Sequence, residues 1–225
     1  MKIIGHGAIV LALIVLSNPL IYGQDLSKYR TFSFGTTLSA LAQQIDARPT
    51  DIAVVHEHPA LIQELAWWPP PSFGSSLRVE PVSRILFSFY NGALYRMLVT
   101  YDQSAIKGLT ADDLIQVIST KYGTATRPVA EINFPTNASY EDKSEKLIAR
   151  WEDPQYSLNL VRLSSQDTFA IVMFSKQADA QAAVSIAESV KLEEQQAPQK
   201  AAAQVQKNAA DLEVERKKNI QAFRP

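Results

Sequence analysis

The chain has 225 residues, no cysteine, eight glycines and a net formal charge of −1. Without cysteine it can carry neither a disulfide scaffold nor an acyl anchor on an N-terminal cysteine. Near-neutral charge leaves no electrostatic footprint for nucleic acid or an anionic membrane, and no glycine-rich phosphate loop is present.

Residues 1–23 read as a secretory signal peptide. Lys2 is the positive start, 8–16 is an apolar run, and Gly23 before Gln24 and Asp25 is the cleavage point. The rival is an uncleaved anchor over 3–22, which Gly5, His6, Asn18 and Pro19 interrupt. Cleavage removes Lys2 and no acid, so 21 basic groups face 23 acidic ones and no membrane span remains. The product is expected in the periplasm or outside the cell. A chain of that size buries roughly 70% of its surface, enough for one α+β domain over 24–195, followed by a tail over 196–225.

In chain order, 29–34 alternates aromatic and polar residues and predicts a strand ended by Gly35. Thr36 or Thr37 caps a helix to Ile45, with Leu38, Leu41, Ala42 and Ile45 at helical spacing. The β-branched run 52–56 predicts a buried strand. Residues 59–68 fit either a short helix or a strand, and 69–76, with three prolines, predict a stiff exposed loop.

The strongest local signal is a hairpin over 84–101 around Asn91-Gly92. A two-residue loop would set Phe87 opposite Arg96 and Ile85 opposite Leu98. A three-residue loop, with Tyr90 and Asn91 helical and Gly92 left-handed, shifts the register by one. Ile85, Phe87 and Phe89 then share an apolar face with Ala93, Tyr95, Met97, Val99 and Tyr101. Exposing half of that face is costly, so the three-residue, bulged turn is expected.

Thr110 predicts the cap of a second helix, with Asp112 and Asp113 in its first turn and Gly123 at its end. Its buried stripe is Leu114, Val117, Ile118 and Tyr122. Residues 125–134 are extended around Pro128, and 135–144 form a polar loop. A meander over 146–152, 156–163 and 168–175 follows, its last strand apolar on both faces and therefore internal. A helix from Gln177 carries Ala182, Ala183, Ile186, Ala187 and Val190 on one stripe and breaks at Pro198. Beyond it, 199–223 has helix propensity without a burying stripe and predicts a protruding or partly frayed helix. Gly35-Thr36-Thr37-Leu38 and Gly108-Leu109-Thr110 both open a helix followed by strands and a tryptophan, a layout of two helix-then-strands halves. The fold class is thus α+β: an antiparallel sheet of about six to eight strands with helices on one face and a helical tail.

Chemistry has few carriers. His56 and His58 would point the same way in a strand and offer two metal ligands, with Glu64 as a third; the alternative is a solvated strand end before Pro59. No nucleophile elbow exists, and no serine is linked by spacing to a histidine and a carboxylate. Of the carboxylate pairs, Asp112-Asp113 belongs to a helix start, whereas Glu141-Asp142 and Glu193-Glu194 lie in solvated segments. Asn137-Ala138-Ser139 matches a glycosylation sequon. No cofactor is expected. Trp67 and Trp68, before the prolines and Phe73, are the binding candidates: one indole enters the core and one meets solvent as an anchor, or both rings cap the open end of the sheet. The expected function is an exported, non-enzymatic binding or assembly module with a protein partner. The rival is a small-ligand protein or hydrolase whose site is assembled from distant residues.

Overall fold

The structure is a computed structural model that describes residues 25–70, 81–133, 144–164 and 167–224. The signal peptide, Phe73 with the 71–80 stretch, and the sequon with Glu141 and Asp142 lie outside the described residues. Strands β1 (Lys28–Tyr29) and β2 (Phe32–Ser33) pair with each other alone. Where the alternation predicts one strand over 29–34, Arg30 at φ +55° turns the chain back instead. Helix α1 (Leu38–Gln44) follows, then a 3-10 turn (Pro49–Asp51). Four strands come next: β3 (Ile52–His56), β4 (Ile62–Trp67), β5 (Val82–Tyr90) and β6 (Ala93–Tyr101). Helix α2 (Ala111–Tyr122) precedes β7 (Glu131–Asn133), β8 (Ser144–Glu152), β9 (Tyr156–Leu163) and β10 (Thr168–Ser175), and α3 (Lys176–Ala222) ends the chain.

Strands β3 to β10 form one antiparallel sheet in the order β3-β4-β5-β6-β10-β9-β8-β7. That order is a palindrome of two helix-then-four-strands halves, joined where β6 meets β10. Antiparallel pairing of equivalent strands implies a pseudo-two-fold axis normal to the sheet, and such an axis keeps α1 and α2 on one face. They do share it: Leu41 of α1 and Leu114 and Ile118 of α2 join one core with Leu65, Phe87, Met97, Trp151, Leu160 and Ile171. The halves correspond in detail. Gly35 (φ +82°) and Gly108 (φ +84°) each stand two residues before the capping threonine, Thr37 or Thr110. A left-handed residue is tolerated there because glycine has no Cβ. Trp67 and Trp151 occupy matching ends of β4 and β8, each the second strand of its half. The Trp151 indole donates to Gly123 O at 2.9 Å, tying α2's end to the sheet.

The central hairpin does not form the expected three-residue loop, and Tyr95, expected on the face of Ile85 and Phe87, lies on the other. Asn91 (φ +49°) and Gly92 (φ +80°) are both left-handed and Tyr90 pairs with Ala93, so the loop has two residues, not three. The register shifts later, because Phe89 opposes Leu94 whereas Ser88 opposes Arg96. Tyr95 is the extra residue of a bulge. Phe87 therefore meets Met97 and Ile85 meets Val99, as the apolar face demands, but Leu94 joins the helix-side core while Tyr95 turns to the opposite face.

That opposite face receives α3. Tyr95 and Ile62 pack with Ala182, flanked by Val55, Tyr90, Ala178 and Ile186. Helices on one face thus holds for α1 and α2, whereas α3 has no counterpart and lies on the other. Its buried stripe is Ala182, Ser185 and Ser189; Ala183 and Ala187, expected in it, are exposed. Small residues let the helix approach the sheet closely, and the Ser189 hydroxyl finds carbonyl partners at Ser185 and His58. Pro198 lies inside the helix and does not end it. A helix nucleated upstream loses one hydrogen bond there, not its nucleus, and strong helix formers flank the site. Every described residue from 191 on is exposed except the half-exposed Glu213. Strand β3, expected to be buried, is an edge: Ala53 and Val54 face solvent.

The two caps differ in strength. Thr110 has a full capping box, donating its N–H to Asp113 Oδ2 at 2.8 Å and accepting from Asp113 N at 3.2 Å. Thr37 only accepts from Ala40 N at 3.3 Å. Replacing Thr110 by Ala is expected to lower stability by about 1 kcal/mol, with a smaller loss for Thr37→Ala. Urea unfolding checks this through a lower midpoint at unchanged slope.

Candidate functional site

Trp67 ends β4 and, by strand alternation, points to the helix-side face. Its ring meets Phe32 edge-on at 5.5 Å between centroids, and Phe32 meets Phe87 at 4.9 Å. Trp68 points the other way and is 59% exposed. The Arg84 guanidinium lies 5.6 Å from its ring centroid, a cation–π contact of about 0.5–1 kcal/mol at an exposed site. Pro70 beside it is also exposed. The tryptophans thus point to opposite faces as neighbours in a strand do, Trp67 partly buried against the core and Trp68 at the rim.

The two histidines do not act together. The His56 side chain is 1% exposed and its Nδ1 lies 3.1 Å from Glu193 Oε1, on α3. His58 is exposed, and its carbonyl accepts from Ser189 Oγ. Glu64 is turned elsewhere, toward Arg84, Ser88 and Arg96. Among the described residues, no three His, Cys, Asp or Glu side chains converge where a metal ion could sit. Glu193 is exposed, as expected of a solvated segment, and also reaches His56 from α3.

Sequence reasoning missed a polar cluster inside the second face. Glu64, Ser88 and Arg96 form one row across β4, β5 and β6. Glu64 is 5% exposed and Ser88 3%. Arg96 Nη1 bonds Asp179 Oδ1 of α3 at 3.1 Å, with side chains 11% and 23% exposed, and its guanidinium lies 5.6 Å from the Phe174 ring centroid. Burial pushes the Asp179 carboxyl up, while Arg96 pulls it down. Burial also raises Glu64 to about 7, against the pull of Arg84, Ser88 and Arg96. The available signal was a lone glutamate and a lone arginine within otherwise apolar strands. These groups satisfy one another and pin α3's first turns to the sheet. Removing Arg96 or Asp179 leaves the other charge mostly buried and unpaired, which costs several kcal/mol.

A group whose folded pKa is raised holds its proton longer in the native state. Glu64 therefore contributes stability in full below about 4.5, and that contribution is lost as pH rises toward 7. Glu64→Gln is expected to flatten this slope, gaining on the order of 1–2 kcal/mol over wild type at pH 8 and little at pH 4.5. Chemical denaturation across that pH range checks it.

No protein-family model matches this chain, and no curated protein or solved structure shows significant similarity to it.

Proposed function

We propose that the protein is an exported, non-enzymatic binding or assembly module that acts through protein–protein contacts. The observation that carries this reading is Trp68, a large aromatic side chain left 59% exposed beside Pro69 and Pro70 while its neighbour Trp67 packs, partly buried, against the core. Exposed indoles on a stiffened backbone are efficient anchors, because little side-chain entropy is lost when they are covered. The α3 arm adds a second presentable surface: Val205, Leu212, Val214, Ile220 and Phe223 are each at least 60% exposed along it. No described helix is long and apolar enough to cross a membrane. Export rests on the three-part pattern of residues 1–23.

The hydrolase reading finds one supporting group, Glu64 with its raised pKa. Its oxygens are turned to Arg84, Ser88 and Arg96 beneath α3, which suits an internal strut better than a proton-transfer site open to substrate.

Native mass spectrometry of the mature protein, gently isolated from its host, tests the proposal. Wild type is expected to carry added mass of protein size, Trp68→Ala to lose it, and thermal stability to change little because the side chain is exposed. A form ending at Ala197 that keeps the mass places the partner on the globular part; loss in that form alone places it on α3. A bare monomer in the wild type contradicts the proposal.

A further inference from the structure

We infer that the distal part of α3 is a dimerisation arm, pairing antiparallel with the same segment of a second copy of this chain. This goes beyond the Trp68 reading and does not depend on it. From residue 191 to its end at Ala222 the helix runs on for about 47 Å. Helices in water draw most of their stability from packing an apolar face, and this stretch has none of its own chain against it. Placed on the helix, its scattered apolar residues gather. Val205, Ala209, Leu212, Arg216, Ile220 and Phe223 follow one another at spacings of four, three, four, four and three. Those spacings keep all six within about 80° of the helix surface. Val205, Leu212, Ile220 and Phe223 are 60–73% exposed, and Val214 alone of the large apolar residues stands on the far side. Val205 lies about 160° around the helix from Ser189, so the stripe points away from the docked face. The chain's own sheet is on the wrong side to cover it.

The charges choose the occupant and its direction. Asp211, Glu213 and Glu215 form an acidic block, and Arg216, Lys217 and Lys218 a basic block directly after it. Parallel pairing in register would set acid on acid and base on base. Antiparallel pairing with Glu213 opposite Arg216 lays one block on the other, and the two-fold axis makes each contact twice. The same register sets Asp211 level with Lys218, Ala209 level with Ile220, and Val205 beside Phe223. Each larger side chain thereby meets a smaller one, and Leu212 lies on the aliphatic stem of Arg216. Glu213 already holds Arg216 at 2.7 Å and Lys217 at 3.8 Å on its own helix, which gathers the three groups at one edge of the stripe for a partner's copies to share. A face of mixed sign suits neither nucleic acid nor an anionic membrane. Four large apolar residues per copy make a thin seam, so pairing is reversible, with a dissociation constant of about 10–100 μM. Below that concentration the arm is a free helix. Paired, it holds the two globular parts about 70 Å apart along the helices, and each dimer is two-headed.

Sedimentation equilibrium of the mature chain, from about 1 μM to about 1 mM, tests the pairing. A monomer–dimer equilibrium is expected, with amide protection of 205–222 rising as concentration rises. Leu212→Asp and Ile220→Asp are each expected to raise the dissociation constant about tenfold or more. The thermal midpoint of both variants stays unchanged, because both side chains are exposed. Glu213→Lys is expected to weaken pairing as well, and adding Arg216→Glu and Lys217→Glu to restore it. A chain without cysteine takes a single spin label at a chosen site. On Gln206→Cys the two labels of a dimer are expected about 25 Å apart, against about 10 Å for parallel helices. A monomer throughout the concentration range, or a dimer indifferent to Leu212→Asp and Ile220→Asp, would overturn the inference. So would pairing that the charge exchange does not restore, or a label separation near that of parallel helices. Trp68→Ala is expected to leave pairing unchanged; a dimer lost in that variant would move the contact to the globular part and overturn the arm. Failure here leaves the Trp68 reading standing, since that reading needs a partner of any kind and not a second copy.

Discussion

One extra residue, Tyr95, sets the organisation of this fold. In a regular hairpin closed by the two-residue Asn91-Gly92 turn, side chains would alternate without interruption, and the Met97–Val99 stretch would face away from Ile85 and Phe87. The bulge corrects that phase. Leu94 can then face the helices beside Phe89, Tyr95 can face the opposite side, and from Arg96 onward β6 runs in the register its apolar residues require. A sheet that is apolar on both faces needs cover on both. Helices α1 and α2 supply it on one side, and Tyr95 with Ile62 gives α3 a place to land on the other.

The docking of α3 is economical in apolar area and rich in polar contacts. Ala182 is its only buried large-to-small hydrophobic contact among the fully buried positions of the helix, the others being Ser185 and Ser189. Arg96–Asp179, Lys176–Glu152 and His56–Glu193 tie it down from its first turn to its fifth. Surface pairs of this kind contribute little each, so the buried Arg96–Asp179 pair and the Tyr95 patch hold most of the geometry. Past Val190 every described residue is exposed except the half-exposed Glu213, and Glu193 reaches back to His56. The same helix is thereby a strut for its first turns and a free arm beyond them. The polar row from Glu64 to Arg96 belongs to the strut, which accounts for a charged row in an otherwise apolar layer without invoking catalysis.

Much of this was legible from local rules. The capping threonines, the Asn-Gly hairpin and the closing meander are decided by a few adjacent residues, and their repetition suggests two halves, whereas the joining of the halves at β6 and β10 depends on pairing between distant strands. What was not legible depends on distant partners. A three-residue loop and a later bulge both bring Met97 and Val99 to the face of Ile85 and Phe87 and differ in whether Tyr95 or Leu94 joins them, so the apolar pattern of 84–101 does not choose between them. Ile52, Val54 and Val55 have the composition of a core strand, yet their place at the edge is set by strand order. Alanines all round α3 leave its rotation undetermined until Tyr95 and His58 select the Ala182–Ser189 stripe. Pro198 was overestimated as a breaker because a long, already nucleated helix tolerates one missing hydrogen bond. Of the site candidates, Trp67 and Trp68 point to opposite faces as strand alternation predicts, the first partly buried and the second exposed, while His56 finds its partner on a helix 137 residues further along.

Amide hydrogen exchange along α3 in the full chain tests the strut-and-arm account most directly. Protection is expected to be near the global level from 178 to 190, to fall within two turns, and to approach that of an isolated helix between 200 and 222. Undiminished protection to Ala222 would mean that the distal half is covered, and fast exchange across 178–190 would mean that the helix does not dock on Tyr95. Either result would contradict the account.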